Sequence, residues 1–295
     1  MSRRDLVPLP WRKAASRWAA SVLLGLVVFA MASAAAARAE PPARVVSMNL
    51  CADQLAMLLA APGQLLSVSD WSARERASMM TAEARKLPLN GGLAEEVFTF
   101  APDLVLAGSF TNRASVDMLR RLGLRVEVLP PARSLSEVRA LIAEVGALLG
   151  REAEAAALVE QFDASLAGAR AAAAPLPPLS SAYYYPNSYT TGAGTLADDI
   201  MRAAGLDNAA AALGLRGSVK IPLEVLVMQR PFLIETRYIS GGEHGRSYET
   251  LTHPALRALR AQREGAVVEE RWQICGTPFV LQAIDALIAA RHEAP

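Results

Sequence analysis

The sequence predicts an α/β protein made of two similar halves, each a Rossmann-like lobe, joined by one long helix. Two observations carry this prediction: β-branched segments alternate with helical ones on both sides of residues 136–174, and those residues form a long helical pattern. Strands that alternate with helices form parallel sheets covered on both faces. The 295 residues are enough for two lobes of about 100–150 residues each.

In the first half, short apolar strands alternate with helices. Pro102-Asp103 introduces a buried strand, and Gly123 ends the helix before the last strand of this half. The predicted strands are residues 44–47, 64–69, 102–107 and 124–129, and the predicted helices are residues 53–60, 95–100 and 116–122.

The joining segment runs from Ser136 to Ala174. Either Ser134 or Ser136 can cap its first turn, and Gly150 interrupts it. Prolines at 175, 177 and 178 then stop the helix. A helical connector limits how far two lobes swing, unlike a flexible linker.

The second half repeats the alternation. Its predicted strands are residues 182–185, 232–235 and 266–268, and its predicted helices are residues 196–204, 222–229, 254–261 and 278–290. Thr277 and Pro278 suit the cap and the first residue of the last helix. We therefore predict a first lobe at 40–134, a helical connector at 135–174 and a second lobe at 175–295.

The N-terminus is typical of a targeting segment. Basic residues precede an apolar run over residues 21–37, and Ala37-Arg38-Ala39 fits an A-x-A cleavage pattern. We predict a signal peptide over residues 1–39, cleaved near Ala39, and a periplasmic mature protein. The alternative is a membrane anchor, because the apolar stretch approaches the roughly 20 residues of a span. Cleavage leaves a mildly acidic chain, which argues against nucleic-acid binding.

Aromatic and arginine side chains recur where the predicted strands end, although aromatics are only 6% of the chain. In open parallel sheets, ligands bind beyond the carboxyl ends of the strands. Such side chains suit a large ligand with apolar faces and anionic or carbonyl edges. The alternative is that they pack the tops of the lobes. The candidate ligand-binding residues are Asn49, Cys51, Trp71, Phe110, Arg113, Tyr185, Tyr189, Arg237, Tyr238 and Trp272.

Several segments give the chain a family resemblance. It resembles the periplasmic binding proteins of ABC importers for vitamin B12 and ferric siderophores over nearly all of residues 43–291. Each motif is weak alone, and their order around a long helix carries the resemblance. The matching segments are residues 44–47, residues 95–97 leading into 102–105, residues 145–150 and residues 190–196.

The resemblance implies two lobes bridged by a backbone helix, the class III architecture, with a cleft that closes only slightly. It implies a monomeric, non-enzymatic protein without a cofactor of its own. Such a protein captures a metal chelate, a ferric siderophore or cobalamin, and delivers it to a membrane permease. The Ser47–Gln54 stretch and Pro231-Phe232, where the family usually has Pro-Asp, depart from the better-known members.

The resemblance also implies one glutamate on each lobe that docks arginines of the permease. By position these are Glu95 and Glu224, which stand seven residues before Pro102 and Pro231 respectively. The alternative is that both are ordinary carboxylates on helix surfaces.

The two cysteines, Cys51 and Cys275, lie at predicted strand ends near the cleft. Three interpretations stay open. They form a disulfide across the cleft, which requires Cα atoms within roughly 7 Å; they are separate inert thiols; or they contact the ligand or a metal.

Two other functions are weaker alternatives. A zinc or manganese protein of related fold would need several histidines, and the chain has only His244, His253 and His292. An exported α/β enzyme is disfavoured because no G-x-S-x-G elbow is present. The ligand itself stays open among corrinoid, ferric siderophore and heme. Arg113, Arg237 and Arg271 favour an anionic ferric chelate by a small margin.

Overall fold

A computed structural model describes residues 40–237, 246–262 and 265–293. The predicted signal peptide lies outside the described residues, as does the loop that contains Tyr238 and His244. Within the described ranges, no helix is both long and apolar enough to cross a membrane.

The first lobe is built on a five-stranded sheet in which every pair of neighbours is parallel. Its strands are β1 (Val45–Ser47), β2 (Leu65–Ser69), β3 (Leu89–Asn90), β4 (Leu104–Gly108) and β5 (Val126–Leu129), in the order β3-β2-β1-β4-β5. Side chains alternate between the faces: Val45 packs into one apolar cluster, and Val46 and Val105 pack into another. Both faces of the sheet are therefore buried, as its continuous apolar strands predict.

Helices follow the strands of this lobe. They are α1 (Leu50–Leu59), α2 (Thr81–Ala84), α3 (Ala94–Thr99) and α4 (Arg113–Arg121), and a 3-10 turn spans Asp70–Ala73. Asn49 and Asn112 cap α1 and α4, because each side-chain oxygen accepts hydrogen bonds from backbone N–H groups of the first turn. Asn49 stands two residues after β1, and Asn112 stands four residues after β4.

The connector consists of two helices, α5 (Leu135–Leu149) and α6 (Glu152–Ala173). The predicted interruption at Gly150 divides the connector, and the long helix of the pair is α6, with 22 residues. Gly150 takes a left-handed conformation with φ of 69°, which ends α5 and reverses the chain. The helices then pack antiparallel: Arg139 forms an ion pair with Asp163 at 2.9 Å, and Gly146 lies against Ala155. The helix that runs on into the second lobe is α6.

The second lobe contains a four-stranded parallel sheet in the order β11-β10-β6-β8. A small antiparallel pair, β7 with β9, lies beside it. The strands are β6 (Leu179–Tyr183), β7 (Tyr189–Thr191), β8 (Leu206–Asn208), β9 (Ser218–Lys220), β10 (Phe232–Arg237) and β11 (Ala266–Glu269). The helices are α7 (Leu196–Ala203), α8 (Ala209–Ala212), α9 (Leu223–Gln229), α10 (Pro254–Gln262), α11 (Glu270–Gln273) and α12 (Val280–Glu293), with 3-10 turns at Pro186–Ser188 and Arg246–Thr252.

One apolar cluster runs through both lobes and the connector. It includes Leu104 of the first sheet, Phe162 of α6, and Phe232 and Ile234 of the second sheet, all at most 1% exposed. Each lobe also has its own smaller cluster on the outer face of its sheet. The two lobes therefore share one apolar core with the connector helices and are not joined by a flexible linker alone.

Candidate functional site

In the first sheet, the strand order changes direction between β1 and β4. From β1 the chain steps outward through β2 and β3, and from β4 it steps outward the other way to β5. Such a switch point leaves a crevice beyond the carboxyl ends of the two strands. In the second sheet, the corresponding point lies between β6 and β10.

A cavity of about 540 Å³ occupies the crevice of the first sheet. Its wall is mostly apolar, with hydroxyl, amide and backbone groups set into it. This volume is within the range of small-molecule sites. The described residues that line it include Asn49, Cys51, Ser69, Asp70, Trp71, Gly91, Gly92, Ser109, Phe110, Asn112, Pro130, Pro131, Ala132, Ile274 and Gly276.

Asn49 forms the floor between β1 and β4. Its Oδ1 accepts hydrogen bonds from the N–H groups of Cys51 and Ala52, at 3.1 and 3.4 Å. A Cβ at Gly108 would lie 2.6 Å from the Asn49 Cγ, so only a glycine fits at the end of β4. The floor is therefore fixed by a helix cap and a close backbone approach.

Trp71 lies on one side of the cavity and is 45% exposed. The Arg74 guanidinium lies over its ring, 3.9 Å from the centroid, and pairs with Asp70 at 2.6 Å. The indole is thus held in place by a cation–π contact. Phe110, which follows β4, is 87% exposed and also lines the cavity.

A buried carboxylate supports the turn that carries Trp71. Asp53, with no exposed surface, accepts hydrogen bonds from the Ser69 backbone N–H at 3.1 Å and the Ser72 hydroxyl at 2.7 Å, and from the Ser69 hydroxyl. Burial raises the pKa of the Asp53 carboxyl above its ordinary value, and the serine hydrogen bonds oppose that rise. Asp53 therefore fixes both ends of the short 3-10 turn.

The second lobe contributes Ile274 and Gly276 to the wall. Between them, Cys275 forms a disulfide with Cys51, with Cα atoms 5.1 Å apart. Of the three interpretations of the cysteines, the structure contains the disulfide. It joins residues 224 positions apart and brings the second lobe to the edge of the cavity.

Part of the predicted ligand-binding set lies together. Asn49, Cys51, Trp71 and Phe110 all line the cavity. Arg113 follows the lining residue Asn112 in the chain but is not in the described wall, and its side chain is 95% exposed with Asp117 at 3.9 Å.

Three of the predicted residues of the second lobe lie outside the cavity wall. Tyr185 stacks on Tyr183, with ring centroids 5.6 Å apart, Tyr189 contacts Lys220, and Trp272 packs on the shared core. None of the three is in the described cavity wall. The side chain of Arg237 and all of Tyr238 are outside the described residues. Ligand contact by these five residues stays a prediction.

Sequence reasoning missed part of the wall. Gly91, Gly92 and the segment Pro130–Ala132 also follow strands, so the strand-end rule could have found them. They are not in the predicted ligand-binding set because they carry neither charge nor aromatic rings. Ile274 and Gly276 gave no signal except that they flank Cys275.

No group of three or more His, Cys, Asp and Glu side chains that could hold a metal ion occurs in the described part of the chain. His244 is not among the described residues.

Glu95 and Glu224 occupy equivalent places in the two lobes. Each is exposed and is the second residue of its helix, α3 or α9. Each helix leads to a non-glycine residue with positive φ directly before a proline: Ala101, at 44°, and Arg230, at 45°. The matched spacing seen in the sequence thus reflects a repeated helix–turn–strand unit.

Comparisons with known proteins agree with this architecture. The family model described as periplasmic binding protein matches residues 45–270. Among solved structures, the apo periplasmic heme-binding protein of Roseiflexus sp. RS-1 aligns with a TM-score of 0.67 and 21% identity, covering 84% of this chain and 98% of that one. The search of curated proteins found no significant match.

Two further solved structures have the same fold. The periplasmic vitamin B12-binding protein of Vibrio cholerae aligns with a TM-score of 0.64 and 18% identity, covering 86% of this chain and 98% of that one. An ABC-type Fe³⁺-hydroxamate transport protein of Saccharomonospora viridis aligns with a TM-score of 0.62 and 20% identity, covering 85% of this chain and 93% of that one. Because the family model matches well over half of its residues, the chain belongs to the periplasmic binding protein family.

Proposed function

We propose that this protein is the substrate-binding component of an ABC importer and that it captures a metal chelate in the cavity between β1 and β4. The single observation that carries the proposal is the cavity itself: about 540 Å³, mostly apolar, and placed at the switch point of the sheet. Exposed aromatic rings inside a cavity stabilise a ligand that presents a broad apolar face. We propose that the N-terminal segment up to Ala39 is removed on export to the periplasm.

The chemistry of the wall narrows the ligand class. The acidic side chain in the described wall, Asp70, is already paired with Arg74, so the wall offers mainly rings and neutral hydrogen-bonding groups. A ferric siderophore, a corrinoid or heme would bring its metal already coordinated and would need only this kind of surface. A ferric siderophore or cobalamin is our preferred ligand, with the exposed Arg113, next to the lining residue Asn112, as the cation for an anionic edge.

Intrinsic fluorescence tests the capture step. After loss of residues 1–39, the only tryptophans are Trp71, which lines the cavity, and Trp272. Titration of the exported protein with cobalamin, heme and ferric hydroxamates should give saturable quenching at one chelate per protein. A solution of free tryptophan amide with equal absorbance, titrated in the same way, corrects for the inner-filter loss of fluorescence. If none of the chelates produces saturable quenching, the proposal is wrong.

Delivery to the permease rests on Glu95 and Glu224. The helix that carries Glu95, α3, follows β3 at the carboxyl side of the first sheet, next to the lining residues Gly91 and Gly92. Carboxylates on each lobe would set the register of a basic partner more than they would add affinity. Transport by the whole importer in vesicles should therefore fall sharply in the Glu95→Ala, Glu224→Ala double variant, while its chelate binding stays unchanged.

A charge-matched control sharpens the transport experiment. Glu83→Ala with Glu160→Ala also removes two exposed carboxylates, one on α2 and one on α6. This control should transport like the wild type. Equal transport by both double variants would exclude Glu95 and Glu224 from docking, without affecting the capture proposal.

A further inference from the structure

The disulfide joins the cavity to the second lobe at one particular place. Cys51 is itself a lining residue, at the start of α1, and Cys275 stands between the lining residues Ile274 and Gly276. Ile274 and Gly276 are the described residues from beyond the connector that line the cavity. We call residues 271–276 the strap.

The strap makes two more contacts with the first lobe. The Arg271 Nη1 donates a hydrogen bond to the Glu75 carbonyl oxygen at 3.0 Å, a few residues after the turn that carries Trp71. At the other end, a Cβ at Gly276 would lie 2.3 Å from the Ala132 Cβ, and Ala132 also lines the cavity. The strap is therefore seated on the first lobe at its start, at its disulfide and at its end.

The contacts differ in strength. The hydrogen bond from Arg271 is exposed, so water competes with it and its contribution to the seating is small. The contact between Gly276 and Ala132 supplies little attraction, so it does not hold the strap in place by itself. The covalent bond, by contrast, keeps the strap within 5.1 Å of α1, measured between Cα atoms.

We propose that the Cys51–Cys275 disulfide is a positioning group for ligand binding: it holds Ile274 and Gly276 in place as the second wall of the cavity. This inference rests on the proposed function. The shared apolar core, against which Trp272 of the strap also packs, joins the lobes beneath the cavity. With the core beneath the cavity and the disulfide at its edge, the wall formed by the strap is in place before a chelate binds.

The test compares chelate affinity in variants that release the strap by different means. Cys51→Ser with Cys275→Ser removes the covalent tie, whereas Gly276→Ala keeps it and forces the strap away from Ala132. Gly265→Ala is the matched steric control, because its added Cβ would lie 2.4 Å from the Leu233 carbonyl oxygen, within the second lobe and outside the cavity wall. Affinity is measured by titration calorimetry with cobalamin, heme and a ferric hydroxamate.

Both strap variants should bind the chelate about tenfold or more weakly, which corresponds to about 1.4 kcal/mol. The Gly265→Ala control should retain the wild-type affinity. If the wild type binds a chelate and both strap variants bind it equally well, the positioning role is refuted while the proposed function stands. If the wild type binds none of the chelates, the proposed function fails.

Hydrogen exchange in the absence of ligand tests separately whether the disulfide holds the strap in place. The backbone N–H groups of Ile274 and Thr277 donate to the carbonyl oxygens of Glu270 and Cys275, at 2.8 and 2.9 Å. In the double cysteine variant these two amides should exchange about tenfold faster than in the wild type. The amide of Ala283, in the buried face of α12, is the internal reference and should exchange at the same rate in both proteins. Unchanged exchange would mean that the strap stays in place without the disulfide, and the inference would be overturned.

Discussion

Replacing Trp71 by alanine should weaken chelate binding by about ten- to a hundredfold. Trp71 is 45% exposed in the ligand-free protein, and a large aromatic side chain buries up to about 250 Å². A ligand that covers all of the exposed part would bury about 110 Å², which at about 25 cal/mol per Å² stabilises the complex by about 2.8 kcal/mol. Covering half of it gives about 1.4 kcal/mol, or tenfold in Kd.

Titration calorimetry is the right assay, because the substitution also removes the fluorescent group. Met228→Ala is the matched control: Met228 is a large apolar residue, 80% exposed, on α9 and outside the cavity wall. Trp71→Phe should lie between the wild type and Trp71→Ala. A wild-type Kd for Trp71→Ala, or an equal loss of affinity in Met228→Ala, would refute ligand contact by the Trp71 ring.

The remaining predictions concern stability and are measured by urea unfolding. Removing the disulfide by Cys51→Ser with Cys275→Ser should lower the unfolding free energy by up to about 5 kcal/mol, because the bond closes a loop of 224 positions; a loss below about 1 kcal/mol would contradict this. The raised pKa of Asp53 means that the folded state holds its proton more tightly than the unfolded state, so wild-type stability should fall relative to Asp53→Asn as pH rises above the ordinary carboxyl pKa of about 4. A pH-independent difference would refute that assignment. Gly146→Ala, whose Cβ would meet that of Ala155 at 2.3 Å, should destabilise the α5–α6 pair by about 1–3 kcal/mol; an unchanged midpoint would show that the helices can separate.

Much of the fold was predictable because parallel strands carry strong local signals. The apolar runs that became β4 and β10 are buried on both faces, so their sequences are continuously apolar and leave little ambiguity. The family resemblance then supplied the arrangement of the two lobes. β3, β8 and the β7–β9 pair are not apparent from the sequence, because each strand has only two or three residues, too few to show a period, and none has the adjacent valines that mark the equally short β1.

The chain reversal within the connector could not be predicted from local sequence alone. Gly150 was recognised as an interruption, but a glycine inside a helical pattern signals either a tolerated defect or a chain reversal. The choice depended on whether Gly146 and Ala155 could approach closely, which is a tertiary contact between residues nine positions apart. The small side chains on both helices are the physical reason that the reversal occurs.

The candidate site was predictable on the first lobe and much less so on the second. Asn49, Trp71 and Phe110 follow strands directly, so strand ends locate them. Tyr185 also follows a strand, yet its ring turns to stack on Tyr183. Ile274 reaches the cavity through the pairing of Cys51 with Cys275, and a sequence alone offers no means of choosing between paired and free cysteines.

The central claim is that a metal chelate binds in the cavity between β1 and β4, and anomalous diffraction tests it most directly. Crystals of the exported protein grown with cobalamin, heme or a ferric hydroxamate would be measured at the absorption edge of cobalt or iron. We predict one anomalous peak within the cavity bounded by Asn49, Trp71, Phe110 and Ile274, with the organic part of the chelate against the two rings. A peak at any other place on the protein, with this cavity empty, would contradict the account.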